Sequence, residues 1–144
     1  MLWLRKSKKG FTLIELMVVV AIIGVLSLLG LRLYTGQQEK AKNAIVKANA
    51  GTAQTLLQAN LADASYSTAA LAVEALEKPG HGMRNPYTSA DLVITESGTA
   101  LPTTSTTTPG GVLVARVDDI PESYNVRGYD GNGDPVGEIL TAQK

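Results

Sequence analysis

The first third of this chain is dominated by one apolar stretch. Residues 11–31, FTLIELMVVVAIIGVLSLLGL, are apolar apart from Thr12, Glu15, Ser27 and two glycines. As an α-helix this stretch would extend about 31 Å, close to the thickness of the hydrocarbon core of a bilayer. The pattern therefore predicts a membrane-spanning helix that carries a carboxylate near its first end.

The pattern changes after residue 31 without a helix-breaking signal. Small and apolar residues recur at spacings of three and four over residues 32–63, which predicts an amphipathic helix. The predicted apolar face consists of Ala41, Ala44, Ile45, Ala48, Thr52, Leu56 and Ala59. No proline occurs before position 79. The two patterns together predict one continuous helix from about Phe11 to about Asp63, roughly 80 Å long.

The remainder of the chain alternates between short apolar runs and turn-forming residues. A short helix is predicted at residues 67–77, since KPGHG follows it. Strands are predicted at residues 91–96, 112–117, 123–130 and 135–140. The sequences DDIPE and GNGD separate the last three and favour an antiparallel meander. The predicted fold class is α+β: a long N-terminal helix with a protruding apolar half and an amphipathic half packed on a small antiparallel sheet.

Four segments follow from these patterns. We expect a short leader at residues 1–10, an apolar half of the helix at 11–33, an amphipathic half at 34–63, and a small α+β head at 64–144. The head is rich in Ala, Thr, Ser and Gly, so its core must be modest in size.

Charge is distributed unevenly although the formal net charge is zero. The leader carries Arg5, Lys6, Lys8 and Lys9 and no acidic residue. A basic stretch before an apolar run is typical of a membrane-directed N-terminus whose positive end stays in the cytoplasm. The rest of the chain is acidic, which argues against a direct nucleic-acid site. The absence of cysteine excludes disulfides and thiolate metal sites.

Two ordinary interpretations explain the N-terminal segment poorly. A cleaved secretory signal should end in small residues, whereas RLYTGQQ follows the apolar stretch. A plain membrane anchor gives no reason for Glu15. A charged residue within a spanning helix costs about 2.5–3.5 kcal/mol near the centre on insertion scales and usually marks function. Glu15 lies near the end, so its cost is lower, but it still needs a partner or protonation.

The stretch GFTLIEL at residues 10–16, preceded by KSKK, resembles the class III signal of type IV pilins and related pseudopilins. This resemblance implies that a prepilin peptidase cuts between Gly10 and Phe11 and methylates the new Phe11 amine. It also implies that Thr12 and Glu15 act in assembly, the Glu15 carboxylate pairing with the N-terminal amine of a neighbouring subunit. Packing of Leu13, Leu16, Val19, Ile23 and Leu26 between helices would supply most of the adhesion.

The resemblance implies the structural subunit, or major pilin, of an extracellular type IV pilus. Its partners would be further copies of the chain, the prepilin peptidase and the inner-membrane assembly machinery. The precursor would lie in the cytoplasmic membrane and the product on the cell surface. The alternatives are a major pseudopilin of a type II secretion or competence system and, in another class, a membrane-anchored binding module that never polymerises. We expect no enzyme, since no catalytic set or phosphate-binding loop is evident.

Three further stretches of the sequence carry weaker signals. Asp130, Asn132 and Asp134 alternate like the start of a calcium loop but lack its twelfth-position glutamate. A hairpin turn is therefore the favoured interpretation and a calcium site the alternative, and no other cofactor is expected. The hydroxyl-rich residues 103–108 could carry O-glycans or form a plain loop.

Many pilins have a proline that kinks the N-terminal helix, and this chain has none there. We hypothesise that the helix loosens between Gly24 and Gly30 on assembly, because glycine is less favourable than alanine in a helix.

Overall fold

The structure is a computed structural model that describes residues 10–63, 69–92, 94–98, 101–102, 109–117 and 123–143. The leader before Gly10, the start of the predicted second helix and the hydroxyl-rich residues 103–108 lie outside this part of the chain. The chain divides into two compact units, of which the first ends at Gln38 and the second begins at Glu39. From here on, the head means this second unit, which is larger than the predicted head at 64–144 because it includes the end of the long helix.

The first helix, α1, runs from Leu13 to Ala62, which confirms the predicted continuous helix. It contains a stretch long and apolar enough to cross a membrane, and none of that stretch is buried. Gly24 and Gly30 both lie within α1, which is uninterrupted through them in the single chain. Loosening on assembly therefore stays a prediction.

The face of α1 that packs into the head differs from the predicted one. The buried residues of α1 are Val46, Asn49, Ala50, Ala53, Leu57 and Leu61. Of the predicted face, Leu56 is partly buried against the core, whereas Ile45 is 46% exposed. The prediction was wrong because the chosen residues lie about one position, or 100°, around the helix from the buried ones. Asn49 is nevertheless buried, and its side-chain amide donates to the Arg84 carbonyl at 3.0 Å.

The rest of the head is a short helix and one four-stranded sheet. Helix α2 spans Ala69–Glu77, and the strands are β1 (Ile94–Glu96), β2 (Val112–Arg116), β3 (Ser123–Tyr129) and β4 (Pro135–Gln143). The strand order is β1-β2-β3-β4. The predicted antiparallel meander forms from β2 to β4, but β1 pairs parallel with β2.

One apolar core joins α1, α2 and the sheet. It includes Leu57 and Leu61 of α1, Val73 and Leu76 of α2, and the inward side chains of the strands. The backbone of β3 comes closest to α1 at Gly128, where an added Cβ would lie 2.5 Å from Val46 Cγ1. Only glycine fits at this approach without displacement of the helix or the strand.

Tyr87 connects three parts of the head. Its hydroxyl donates to Asn43 Oδ1 of α1 at 2.6 Å, and Lys42 Nζ lies 5.0 Å from the centre of its ring. A Cβ at Gly131, in the β3–β4 turn, would lie 2.5 Å from the same ring. Partial burial raises the pKa of Tyr87 above its ordinary value, so the phenol stays a hydrogen-bond donor to higher pH than free tyrosine.

The outer edge of β4 is held by glutamine side chains of α1. Gln58 donates from Nε2 to the Gln143 carbonyl at 2.5 Å and accepts the Gln143 N–H at Oε1 over 3.2 Å. Gln54 Nε2 donates to the Thr141 carbonyl at 2.7 Å. The Gln58 amide thus imitates a neighbouring strand and satisfies backbone groups that an edge strand leaves unpaired. These bonds secure the last strand in a chain that has no disulfide.

Replacement of Gln58 by alanine should loosen the end of β4. A net hydrogen bond contributes about 0.5–1.5 kcal/mol, so the Gln143 amide should exchange with solvent roughly 2–10 times faster, as measured by hydrogen–deuterium exchange. Thr55→Ala is the matched control, because among the described residues the Thr55 hydroxyl donates to the Gly51 carbonyl within α1 and not to β4. Equal exchange rates of the Gln143 amide in wild type and Gln58→Ala would show that the Gln58 hydrogen bonds do not hold the strand.

Candidate assembly site at the helix N-terminus

Thr12 and Glu15 form a closed hydrogen-bonded unit at the start of α1. Glu15 Oε2 accepts the Thr12 backbone N–H at 2.9 Å and the Thr12 hydroxyl at 2.7 Å. The Glu15 N–H is 3.3 Å from Thr12 Oγ1. This is a capping box, in which the N-cap residue and the residue three positions later satisfy each other's polar groups. The structure therefore brings together the two residues to which the family resemblance gives a role in assembly.

The capping box explains how a carboxylate is accommodated at this position. The first turn of a helix exposes unpaired N–H groups and carries partial positive charge, which favours a nearby anion. Both bonds from Thr12 converge on Oε2, and within the part of the chain that the structure describes Oε1 has no hydrogen-bond partner. A carboxylate has about four acceptor positions. Glu15 can thus keep its cap and still accept a donor from another molecule.

The predicted cleavage position lies just outside the helix. Gly10, Phe11 and Thr12 precede the first helical residue, Leu13, and the Phe11 side chain is 85% exposed. A protease can reach backbone of this kind without unwinding α1. Cleavage between Gly10 and Phe11 would place a free amine one residue from the capping box and leave the Thr12–Glu15 bonds intact.

Apolar side chains cover every side of α1 behind the capping box. The five residues predicted to pack between helices are all among the exposed large hydrophobic residues: Leu13, Leu16, Val19, Ile23 and Leu26. A helix that is apolar all round is stable only in lipid or in the interior of an assembly. The first unit therefore requires an apolar environment that the single chain does not supply.

The aspartate-rich turn has the geometry of a hairpin connection. Asp130 Oδ1 accepts the backbone N–H groups of Asn132 at 2.8 Å and Asp134 at 2.9 Å. The Asp130 N–H donates to the Asp134 carbonyl at 2.8 Å. The turn joins β3 to β4, as the hairpin interpretation predicted. No group of three or more His, Cys, Asp or Glu residues suited to a metal occurs among the residues that the structure describes.

Comparison with known proteins agrees with the N-terminal motif. A family model described as the prokaryotic N-terminal methylation motif matches residues 5–31. The chain is also similar to fimbrial protein EcpB of Eikenella corrodens, with 43% identity over 62 residues. That alignment covers 43% of this chain and 39% of EcpB, so the chain matches about two fifths of the length of this curated relative. No solved structure gives a significant match.

Proposed function

We propose that the chain is a type IV pilin and serves as the major structural subunit of an extracellular type IV pilus. The match of its N-terminal segment to the prokaryotic N-terminal methylation motif and its similarity to a fimbrial protein support this proposal. The observation that carries this proposal is the capped carboxylate of Glu15 at the start of the exposed apolar half of α1. The precursor is held in the cytoplasmic membrane, loses residues 1–10 to the prepilin peptidase and is methylated at Phe11. Inner-membrane machinery then assembles it into a homopolymeric filament.

The proposed filament is a bundle of α1 helices aligned by charge. Apolar packing supplies adhesion, but it does not favour one axial register strongly over another. The free amine of one subunit and the Glu15 carboxylate of a neighbour attract each other strongly in a dry bundle, where the effective dielectric constant is low. Each charge would be costly alone in that environment, and the pair is much less so. The pair therefore selects the register in which the two groups meet.

Two other functions use the same helix. A type II secretion or competence pseudopilin would share the N-terminal chemistry, but the similarity to EcpB, a fimbrial protein, favours the pilus. A membrane anchor that never polymerises would also benefit from the capping box, since capping stabilises any helix by about 1 kcal/mol. Such an anchor has no need for the exposed amine that cleavage at Gly10 creates. The proposal includes no enzymatic activity and no cofactor.

The mature N-terminus separates a filament subunit from a plain anchor. Mass analysis of protein from sheared surface fibres should find a chain that begins at Phe11 with one methyl group on its amine. Gly10→Val, which puts a β-branched side chain at the cleavage position, should leave residues 1–10 attached and abolish fibres. Gly30→Ala is the matched control and should be processed normally. Wild-type cells in which every copy begins at Met1 and no fibre forms would instead support the anchor.

A further inference from the structure

The apolar part of α1 ends in a short group of polar and aromatic side chains that lie on two sides of the helix. Arg32, Tyr34 and Gln38 are all exposed, and Gln38 Nε2 donates to the Tyr34 hydroxyl at 3.1 Å. Arg32 and Tyr34 are two positions apart and so point to nearly opposite sides of the helix. We call these three residues the collar. A phenol and a guanidinium at nearly the same position along the helix axis suit the headgroup layer of a membrane.

The collar lies a set distance from the capping box. Tyr34 lies nineteen positions after Glu15 in one continuous helix, which corresponds to about 28 Å. The hydrocarbon core of a bilayer is about 30 Å thick. When Tyr34 lies at the outer border of that core, Glu15 therefore lies at the inner border, among headgroups and water. The two polar ends of α1 match the two faces of one membrane.

We propose that the collar binds the outer phospholipid headgroup layer and thereby holds Glu15 at the cytoplasmic border of the membrane, hydrated, until the subunit is withdrawn. This inference rests on the proposed function, because it describes the stored precursor and mature subunit before assembly. Outward movement of the helix is then the step that takes Glu15 into the hydrocarbon core. Pairing with a second subunit is then favoured during withdrawal and not in the resting membrane.

A competing placement gives a measurably different depth. If only hydrophobicity positioned the helix, residues 11–31 would be centred in the bilayer near Ala21, and Glu15 would lie about 9 Å from the midplane. With the collar at the interface, the centre moves to about Val25, and Glu15 lies about 14 Å from the midplane. The two placements thus differ in which residue is deepest.

Site-directed spin labelling can locate that residue. The chain has no cysteine, so single cysteines can be placed at Ile14, Val18, Ala21, Val25 and Leu28 without background. The full chain is reconstituted in vesicles of phosphatidylethanolamine and phosphatidylglycerol, and accessibility to oxygen and to a nickel chelate is measured at each label. We expect the highest oxygen-to-nickel ratio at position 25 and a headgroup-like ratio at position 14. A maximum at position 21 would overturn the inference.

Removal of the collar provides the second measurement. Arg32→Leu combined with Tyr34→Leu should move the maximum from position 25 toward position 21, whereas Leu33→Ala, between them, should leave it unchanged. An unchanged maximum in the double variant would show that the collar does not set the depth. Fibre formation by the wild-type protein is scored separately in cells. If wild-type cells form fibres but the oxygen-to-nickel ratio is highest at position 21, only the inference is disproved. If wild-type cells form no fibres, the proposed function is disproved.

Discussion

Replacement of Glu15 by alanine should abolish filaments while leaving the head folded. The substitution removes the two cap bonds from Thr12 and also the charge available to a neighbouring amine. Every amine in the bundle would then be buried without a partner, and breaking a buried pair from one side typically costs about 3–5 kcal/mol. We expect the yield of sheared fibres, measured by immunoblot and electron microscopy, to fall at least tenfold.

Two control variants separate charge pairing from capping. Thr12→Val removes the hydroxyl from the cap but keeps the Glu15 charge, so it should weaken the helix start by about 1 kcal/mol and reduce fibre yield less than Glu15→Ala does. Glu39→Ala removes an exposed acid of the same helix in the head and should leave fibre yield unchanged. Normal yield in Glu15→Ala would reject the pairing mechanism. Equal losses in Thr12→Val and Glu15→Ala would reduce the role of Glu15 to capping.

Gly128→Ala should cause a large loss of stability in the head. The added Cβ would lie 2.5 Å from Val46 Cγ1 and 3.1 Å from the Val46 carbonyl oxygen, at the closest approach of β3 to α1. Overpacking of this kind costs about 1–3 kcal/mol. Chemical denaturation of the full chain in detergent, followed by the near-ultraviolet circular dichroism of its tyrosines, should show the lower free energy of unfolding.

Matched substitutions test the same contact. Gly51→Ala lies in α1 with no atom within 4 Å of the added Cβ, so it should stabilise the helix by up to about 1 kcal/mol. Val46→Ala in the Gly128→Ala background removes the clashing methyl group, and the double variant should lose less stability than the sum of the two single variants. Strict additivity would show that Gly128 and Val46 are not in this contact.

The long helix could be predicted because it depends on local signals, whereas the roles of Thr12 and Glu15 in assembly stay predictions. The continuous helix follows from hydrophobicity and the absence of proline, and Thr12 and Glu15 stand at the spacing of a capping box. That spacing also indicates the cap bonds, which give Glu15 a partner within its own chain. What the spacing alone could not supply is which carboxylate oxygen those bonds use, since side-chain geometry decides it.

The buried face of α1 could not be identified from periodicity. Alanines occur on several sides of this part of the helix, so more than one face has an apolar pattern. Polar Asn49 lies on the buried face because its side-chain amide donates to the Arg84 carbonyl.

The parallel pairing of β1 could not be predicted either. A tight turn forces antiparallel pairing, but the long connection over residues 97–111 lets the chain return and run parallel to β1.

The central claim is that Glu15 meets the freed amine of another copy, and a cryo-electron microscopy map of native fibres measures this directly. The account predicts that the Phe11 nitrogen of each subunit lies within ion-pair distance, about 4 Å, of a Glu15 carboxylate from a neighbouring subunit. A map in which each nitrogen contacts only the Glu15 of its own chain, or no carboxylate at all, would contradict it.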